Sequence, residues 1–558
     1  MIALVRRGPL TLAEVEQAPD PPSASNAPSA VAVAQTVLSG RPGGIPAMPQ
    51  NFIDCDREQA FLLPPSLRDW LPADHLAWFV IESVDRLDLD GFYAAYRADG
   101  HGRAAYEPSV MVSLVLYAYS TNVRSSRAIE RHCRQDIAYR VITGNRVPDH
   151  ATIARFIVRH EQRLAELFTS VLRLCAKAGL VKSGVVAVDG TKLSASANSD
   201  SNVDYDRVAR EIIAEGIATD EAEDKQHGDA RGDELPPELC AEAARREWLT
   251  RALAQEQSAE DEVDDAPVED ESGDPLDGFD AERILARVQG RQGWLREAHR
   301  QLEQERWETA GPLPRSRSER LRVAARQFEE NLAAEWRGNR GYEASREQRR
   351  GTKRLGGPPK PYTPPEVPQG EVNLTDPDSR RMKGNRRYIQ GYNAQAVVNE
   401  QQIVLAAEVS TAAGDFSHLR PMIEAALVEL AQADTETPTV ALADAQYWNE
   451  QHMDDVTAGH GIQVLIPPDS GKRKGERPGW TGGRYSFMRR VLATDLGKEL
   501  YRKRQQSIEP VFGHTKHNRG FDRFHRRGRL AVRTEWRLIT MSHNLAKLHR
   551  HQLATVRA

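Results

Sequence analysis

Val185, Val186, Ala187 and Val188 form a short apolar run that reads as a buried strand ending in Asp189. A lone strand leaves its backbone donors and acceptors unpaired, so this one needs neighbours. The chain instead departs on a polar excursion over residues 200–370, and α/β patterning resumes only at 388. There residues 392–398 and 403–409 read as two strands joined by the turn Asn399-Glu400-Gln401-Gln402. Leu419, Met422, Ile423, Ala426, Leu427 and Leu430 define a helix. Val440, Ala441, Leu442 and Ala443 form a strand ending in Asp444, and Val464, Leu465 and Ile466 make one more. A basic loop, 472–490, leads to helices. Stitched across the excursion, this is one α/β domain made of residues 181–200 and 371–550, with residues 201–370 as an insertion and 551–558 as a tail.

The insertion has recognisable parts. Between Glu256 and Asp277 lie eleven acids and no Lys or Arg, a block that repels itself and stays solvated. Helical patterns around 282–309 and 316–338, joined by Gly311-Pro312-Leu313-Pro314, suggest a helical hairpin. Six prolines within 356–370 mark a linker. At the other end of the chain, residues 1–47 are rich in Ala, Pro and Ser without periodicity and read as a disordered extension. Met48 opens denser sequence and is a candidate start codon.

Residues 48–180 read as helical. Leu76, Phe79, Val80 and Val84 share a helical face. Pro108 suits a first helical turn before Met111, Leu114, Val115 and Ala118. One long amphipathic helix is expected from Ile153 through Leu172 to Gly179. Arg124, Arg127, Arg131 and Arg134 have offsets of 0, 3, 7 and 10. On one helix they would share a face able to track DNA phosphates, with an ordinary solvated surface as the alternative.

Of the 558 residues, 40% are hydrophobic and 28% charged, which excludes a wholly disordered chain. Cys55, Cys133, Cys175 and Cys240 lie scattered with no C-x-x-C pair, which argues against a disulfide framework or zinc site and fits a reducing cytosol. No apolar run is long enough for a bilayer, so no membrane association is expected. The net charge of −5 conceals polarity. The acidic block contributes −11, while residues 501–558 hold 14 Lys plus Arg against 3 acids. Such a basic end, interleaved with Phe521, Phe524 and Trp536, suits a polyanionic partner.

Carboxylates at strand ends can converge on hard cations, and Asp189 and Asp444 both sit there. A third candidate is Glu509. Pro510 beside it is tolerated in a first helical turn, so a helix beginning near Ser507 would set Glu509 at the positive end of its dipole. Lys516 follows two turns later. Asp376 and Asp378 lie in a polar loop before the strand at 388, and His514 and His517 read as phosphate-facing or structural.

Val186-Ala187-Val188-Asp189-Gly190-Thr191, Leu442-Ala443-Asp444-Ala445-Gln446-Tyr447 and Glu509-Pro510-Val511-Phe512-Gly513 with Lys516 resemble the Asp-Asp-Glu (DDE) transposases of bacterial insertion sequences. The amino-terminal Met48-Pro49-Gln50-Asn51-Phe52 is similar to theirs as well. Their signature is Tyr, two residues, Arg, three residues, Glu, six residues, Lys. Tyr501, Arg504, Glu509 and Lys516 keep its outer intervals, but four residues separate Arg504 from Glu509, so Gln505 stands at the expected Arg position.

The resemblance implies an α/β ribonuclease-H-like catalytic domain with a large, mostly helical and partly disordered insertion, preceded by an all-α DNA-binding region at 48–180. It implies that Asp189, Asp444 and Glu509 hold two Mg²⁺ ions, for which Mn²⁺ can substitute, with no small-molecule cofactor. It implies cleavage at element ends and strand transfer into target DNA. Tyr501, Arg504 and Lys516 would contact DNA near the scissile bond, and a homodimer would act on DNA in the cytoplasm, associated with the nucleoid. Two alternatives stay open: a nuclease of the same fold that only cleaves, and a catalytically inactive DNA-binding regulator.

Overall fold

The computed structural model of the chain describes residues 52–53, 56–57, 66–97, 104–182, 184–227, 242–243, 246–247, 290–348, 362–384, 387–469 and 475–557. The extension at 1–47, Met48 and the acidic block lie outside these residues, as does most of the Pro-rich segment.

The apolar run at 185 is the start of a strand, β3 (Val185–Ser194), that does not end at Asp189 but continues for five residues. The reason is its partner. β7 (Tyr388–Asn399) pairs antiparallel with β3 from Asn399 opposite Val186 to Gly391 opposite Ser194, and so satisfies the backbone beyond Asp189. On its other side β3 runs parallel to β9 (Val440–Leu442), which runs parallel to β10 (Gln463–Leu465). β7 in turn pairs antiparallel with β8 (Val404–Ser410) and with β6 (Arg380–Lys383). The result is a mixed six-stranded sheet ordered β10-β9-β3-β7-β6, with β8 also on β7. β6 lies where a loop was expected. Asp376, fully buried before it, accepts from the Tyr392 hydroxyl and the Gly528 amide, while Asp378 accepts from Arg529. These two acids pin the segment to the protein interior.

The amino-terminal helices are α1 (Leu76–Val84), α2 (Asp90–Tyr93), α3 (Pro108–Ser120), α4 (Ser126–Gln135), α5 (Ile137–Ile142), α6 (His150–Arg159) and α7 (Glu161–Lys177). Two-residue strands β1 (Phe52–Ile53) and β2 (Ala105–Tyr106) pair among them, so this region is not wholly helical. The expected single helix through Ile153 and Leu172 is broken at His160. Its buried ring lies 4.7 Å from that of Phe156 and 5.1 Å from that of Phe92, and its backbone leaves helical geometry.

In the insertion, α8 (Tyr205–His227) was not anticipated from its polar sequence. The hairpin is present as α9 (Arg291–Glu308) and α10 (Arg317–Gln348), with Trp294, Ala298, Leu302, Ala334 and Tyr342 buried together. Short strands β4 (Asn202–Val203) and β5 (Val372–Asn373) pair where the insertion leaves and rejoins the sheet domain.

α11 (Leu419–Gln432), α12 (Glu450–His460), α13 (Gly483–Ala493), α14 (Asp495–Gly513) and α15 (Arg529–Arg557) complete the fold. α15 packs on α3, α7 and β8. Its Trp536, Leu538, Ile539, Met541 and Leu545 are buried in one hydrophobic cluster that runs from Ala77 of α1 through β3, β7 and β8. The amino-terminal helices and the sheet therefore share a core. No helix among the described residues is long and apolar enough to cross a membrane.

Candidate active site

Register brings the two aspartates together. Ala187 of β3 lies opposite Leu442 of β9 on parallel strands, and Asp189 and Asp444 are each two residues further on. Asp189 therefore lies level with Asp444, where β9 has ended while β3 runs on along β7. Asp444 caps the short turn Ala445–Tyr447 by accepting from the Gln446 amide at 2.8 Å. Asp189 accepts from the Gly190 amide at 2.8 Å.

Glu509 comes from α14, and here the local expectation fails. Pro510 does not open a helix but lies inside α14, and Glu509 sits just before its last turn. Glu509 is therefore near the negative end of the helix dipole, not the positive one. Pro510 cannot donate to the Gln506 carbonyl four residues back. The Gln402 side chain supplies that hydrogen bond instead, at 2.9 Å, and the helix continues. A π turn (His514–Asn518) follows directly.

Arg504 links the carboxylates. Its guanidinium donates to Asp189 Oδ2 at 3.0 Å and lies 3.6 Å from Glu509 Oε1, over the Tyr501 ring at 5.7 Å. The irregular spacing before Glu509 thus leaves Arg504 at the carboxylates. Lys516, in the π turn, donates to the Lys192 carbonyl of β3 at 2.9 Å, and burial lowers its pKa. Asp189, Asp444, Glu509, Tyr501 and Arg504 form one constellation, with Lys516 tied to the same strand.

Burial pushes Asp189 up to about 7; Arg504 opposes this, while Asp444 and Asp415 add to it. Asp444 is also raised, first by burial and further by Asp415, against its backbone bond to Gln446 and the charge of Arg504. Asp415 was not singled out in the sequence. It is buried, and accepts from Asn393 Nδ2 and Gln395 Nε2 at 2.8 Å each. Tyr447, next to the Asp444 turn, donates to Gln395. Gly190 leaves room for this network: a Cβ there would lie 2.8 Å from Asp415 Oδ1 and closer still to Gln395. The signal was available in β7, where Asn393 and Gln395 interrupt an apolar strand.

The arginine row separates. Arg127, Arg131 and Arg134 are exposed on α4, with Arg134 paired to Glu130 at 2.7 Å. Arg124 precedes the helix and turns inward. It pairs with the buried Glu535 at 3.0 Å, donates to the Arg523 carbonyl and lies over Phe521.

The carboxylate oxygens, without sulfur or imidazole among them, suit a hard cation such as Mg²⁺. Among the described residues no three metal-binding side chains converge as they stand, and Arg504 lies between Asp189 and Glu509.

Residues 344–545, which include Asp444, Arg504, Glu509 and Lys516, match the family model described as a transposase DDE domain. Residues 65–159 match that of a transposase domain of the DUF772 type. Asp189 lies outside both matches, separated in sequence by the insertion. No curated protein and no solved structure matches the chain. Both matched segments are described as transposase domains, the longer one as a DDE domain, which is consistent with a DDE transposase of an insertion sequence.

Proposed function

We propose that this transposase uses Mg²⁺ to cut DNA at the ends of its element and to join those ends to target DNA, on a ribonuclease-H-like catalytic fold. The observation that carries the reading is the register of β3 against β9, which sets Asp189 beside Asp444, with Glu509 tied to Asp189 through Arg504. Two bound Mg²⁺ ions would polarise water or a DNA 3′-hydroxyl for attack on a phosphodiester and neutralise charge on the leaving oxygen.

Asp189 and Asp444 would hold the cations from adjacent strands, and Glu509 would complete the oxygen set from α14. Arg504 neutralises Asp189 before DNA arrives, then turns to the substrate phosphate with Tyr501 beneath it. Lys516 keeps the end of α14 against β3, so that Glu509 stays in reach. Arg127, Arg131 and Arg134 of α4 contact the DNA backbone, and a homodimer holds two element ends. The setting is the cytoplasm.

The purified protein, given Mg²⁺ and a duplex carrying the element's terminal repeats, should yield cleaved and joined products. Cleavage without joining would leave a nuclease, and DNA binding without either product would leave a regulator. Glu509→Gln should lower cleavage by about a hundredfold or more while duplex binding persists. Full activity in that variant would refute the assignment.

A further inference from the structure

A pocket of about 390 Å³ opens where the end of α14 and the π turn meet α15, walled by Gly513, His514, Asn518, His543, Lys547 and Arg550. Its chemistry differs from that of the rest of α15. Further toward the start of that helix each arginine faces a carboxylate: Arg529 pairs with Asp378 and Glu303, Arg533 and Arg537 with Glu408. The pocket is lined by no carboxylate. Arg550 is exposed and makes no ion pair among the described residues, and Lys547 donates only to the neutral Gln402 side chain, at 3.0 Å.

Lys547 and Arg550 act on each other without a counter-ion: burial lowers Lys547 and Arg550 lowers it further. Burial, with Arg519, Arg550 and Lys547, also lowers His514, whose ring is then a neutral donor. Like charges gathered in a concave, partly desolvated site raise the affinity for an anion. Two polar positions are open as well. The His543 ring is 5% exposed, its Nε2 bonds the Gln402 carbonyl at 2.9 Å, and its Nδ1 is buried without a partner. His514 Nδ1 is likewise buried and unpartnered, with the two rings 5.5 Å apart. With Nε2 donating, His543 Nδ1 is an acceptor, which a water held beside a bound group satisfies, whereas His514 Nδ1 can carry the ring proton and donate to the group itself.

We infer that this pocket seats one phosphodiester group of the bound DNA, held by Lys547, Arg550 and His514, apart from the carboxylate centre. The occupant rests on the proposed function, because the pocket is cut into the same helix and turn that carry Glu509 and Lys516. Gly513 is one helical turn past Glu509, so a strand reaching the carboxylates passes close by. The site would fix the strand's path without touching the reacting phosphate.

Two measurements separate the pocket from its occupant. Without DNA, inorganic phosphate should raise the Tm of the wild-type protein above that in chloride at equal ionic strength. Arg550→Gln and Lys547→Gln should each lose that difference, and an unchanged response in both variants would overturn the anion site. Arg550 is exposed, so its variant reports even if the Lys547 change disturbs folding. With duplex DNA, Arg550→Gln should weaken binding roughly tenfold at low salt and lower the slope of log K against log salt by about 1. Both variants together should lower the slope no further, because they share one phosphate. A lost phosphate response with unchanged duplex affinity would overturn the DNA occupant. No duplex binding by the wild type would overturn that occupant together with the proposed function, while the phosphate measurement still decides the pocket.

Discussion

Arg504 is the residue on which the electrostatics of the carboxylate centre turn. Burial sets the Asp189 carboxyl at about 7, and the pull of Arg504 keeps it from lying higher. A carboxyl raised above its unfolded value contributes most to stability below that value, near pH 4, and loses it as pH rises toward 7. Removing Arg504 would lift Asp189 further, so the loss of stability should grow with pH. In a chelating buffer Arg504→Gln should cost little at pH 6, where Asp189 is protonated, and up to about 3 kcal/mol at pH 8, where an unpaired charge must stay buried. Thermal unfolding at the two pH values checks this, and equal losses would refute it. Mg²⁺ should recover part of the deficit at pH 8, since the carboxylates would then share a cation.

At the scale of elements, α14 shows how a distant contact overrides a local rule. Its Pro510 frees the Gln506 carbonyl, and Gln402, in the turn between β7 and β8, takes it. Gln402→Ala should therefore destabilise by about 1 kcal/mol and, if Glu509 loses its placement, slow cleavage more than the stability change suggests. Unchanged stability and cleavage in that variant would show that the helix tolerates the proline unaided. The expectation that Glu509 sits in a first turn failed because a partner 104 residues away is invisible to spacing. The same holds for Arg124, whose periodicity with Arg127 and Arg131 says nothing of Glu535. By contrast, the runs at Val185, Ile403 and Val440 were legible as strands because they are apolar along nearly their whole length and largely buried in the sheet. Asp189 and Asp444 were legible because both follow such runs. His160 broke a helix whose apolar periodicity runs straight through it, since the break comes from ring packing.

Across the whole molecule, the basic carboxyl-terminal end is largely neutralised from elsewhere in the chain. Its excess of cations meets Glu161 of α7, Glu303 of α9, Asp378, Glu408 of β8 and Glu429 of α11. α15 thus ties the amino-terminal helices, the sheet and the insertion together, and local net charge overstated what is free for DNA. Glu303 is the insertion's clamp. It lies 2.8 Å from Arg529 and 3.6 Å from Arg380, and accepts from the Thr411 hydroxyl at 2.7 Å. Burial pushes its carboxyl up, but Arg529 and Arg380 outweigh that and hold it well below the usual range. A carboxyl depressed by folding stabilises above its unfolded value, near 4.5, and that contribution is lost as pH falls toward the folded value. Glu303→Gln should cost about 3 kcal/mol at pH 7, because Arg529 is left buried with Asp378 alone. Denaturant unfolding of the two proteins should show that gap narrowing between pH 5 and about pH 3, and a gap of constant size would mean that the pair does not clamp the insertion.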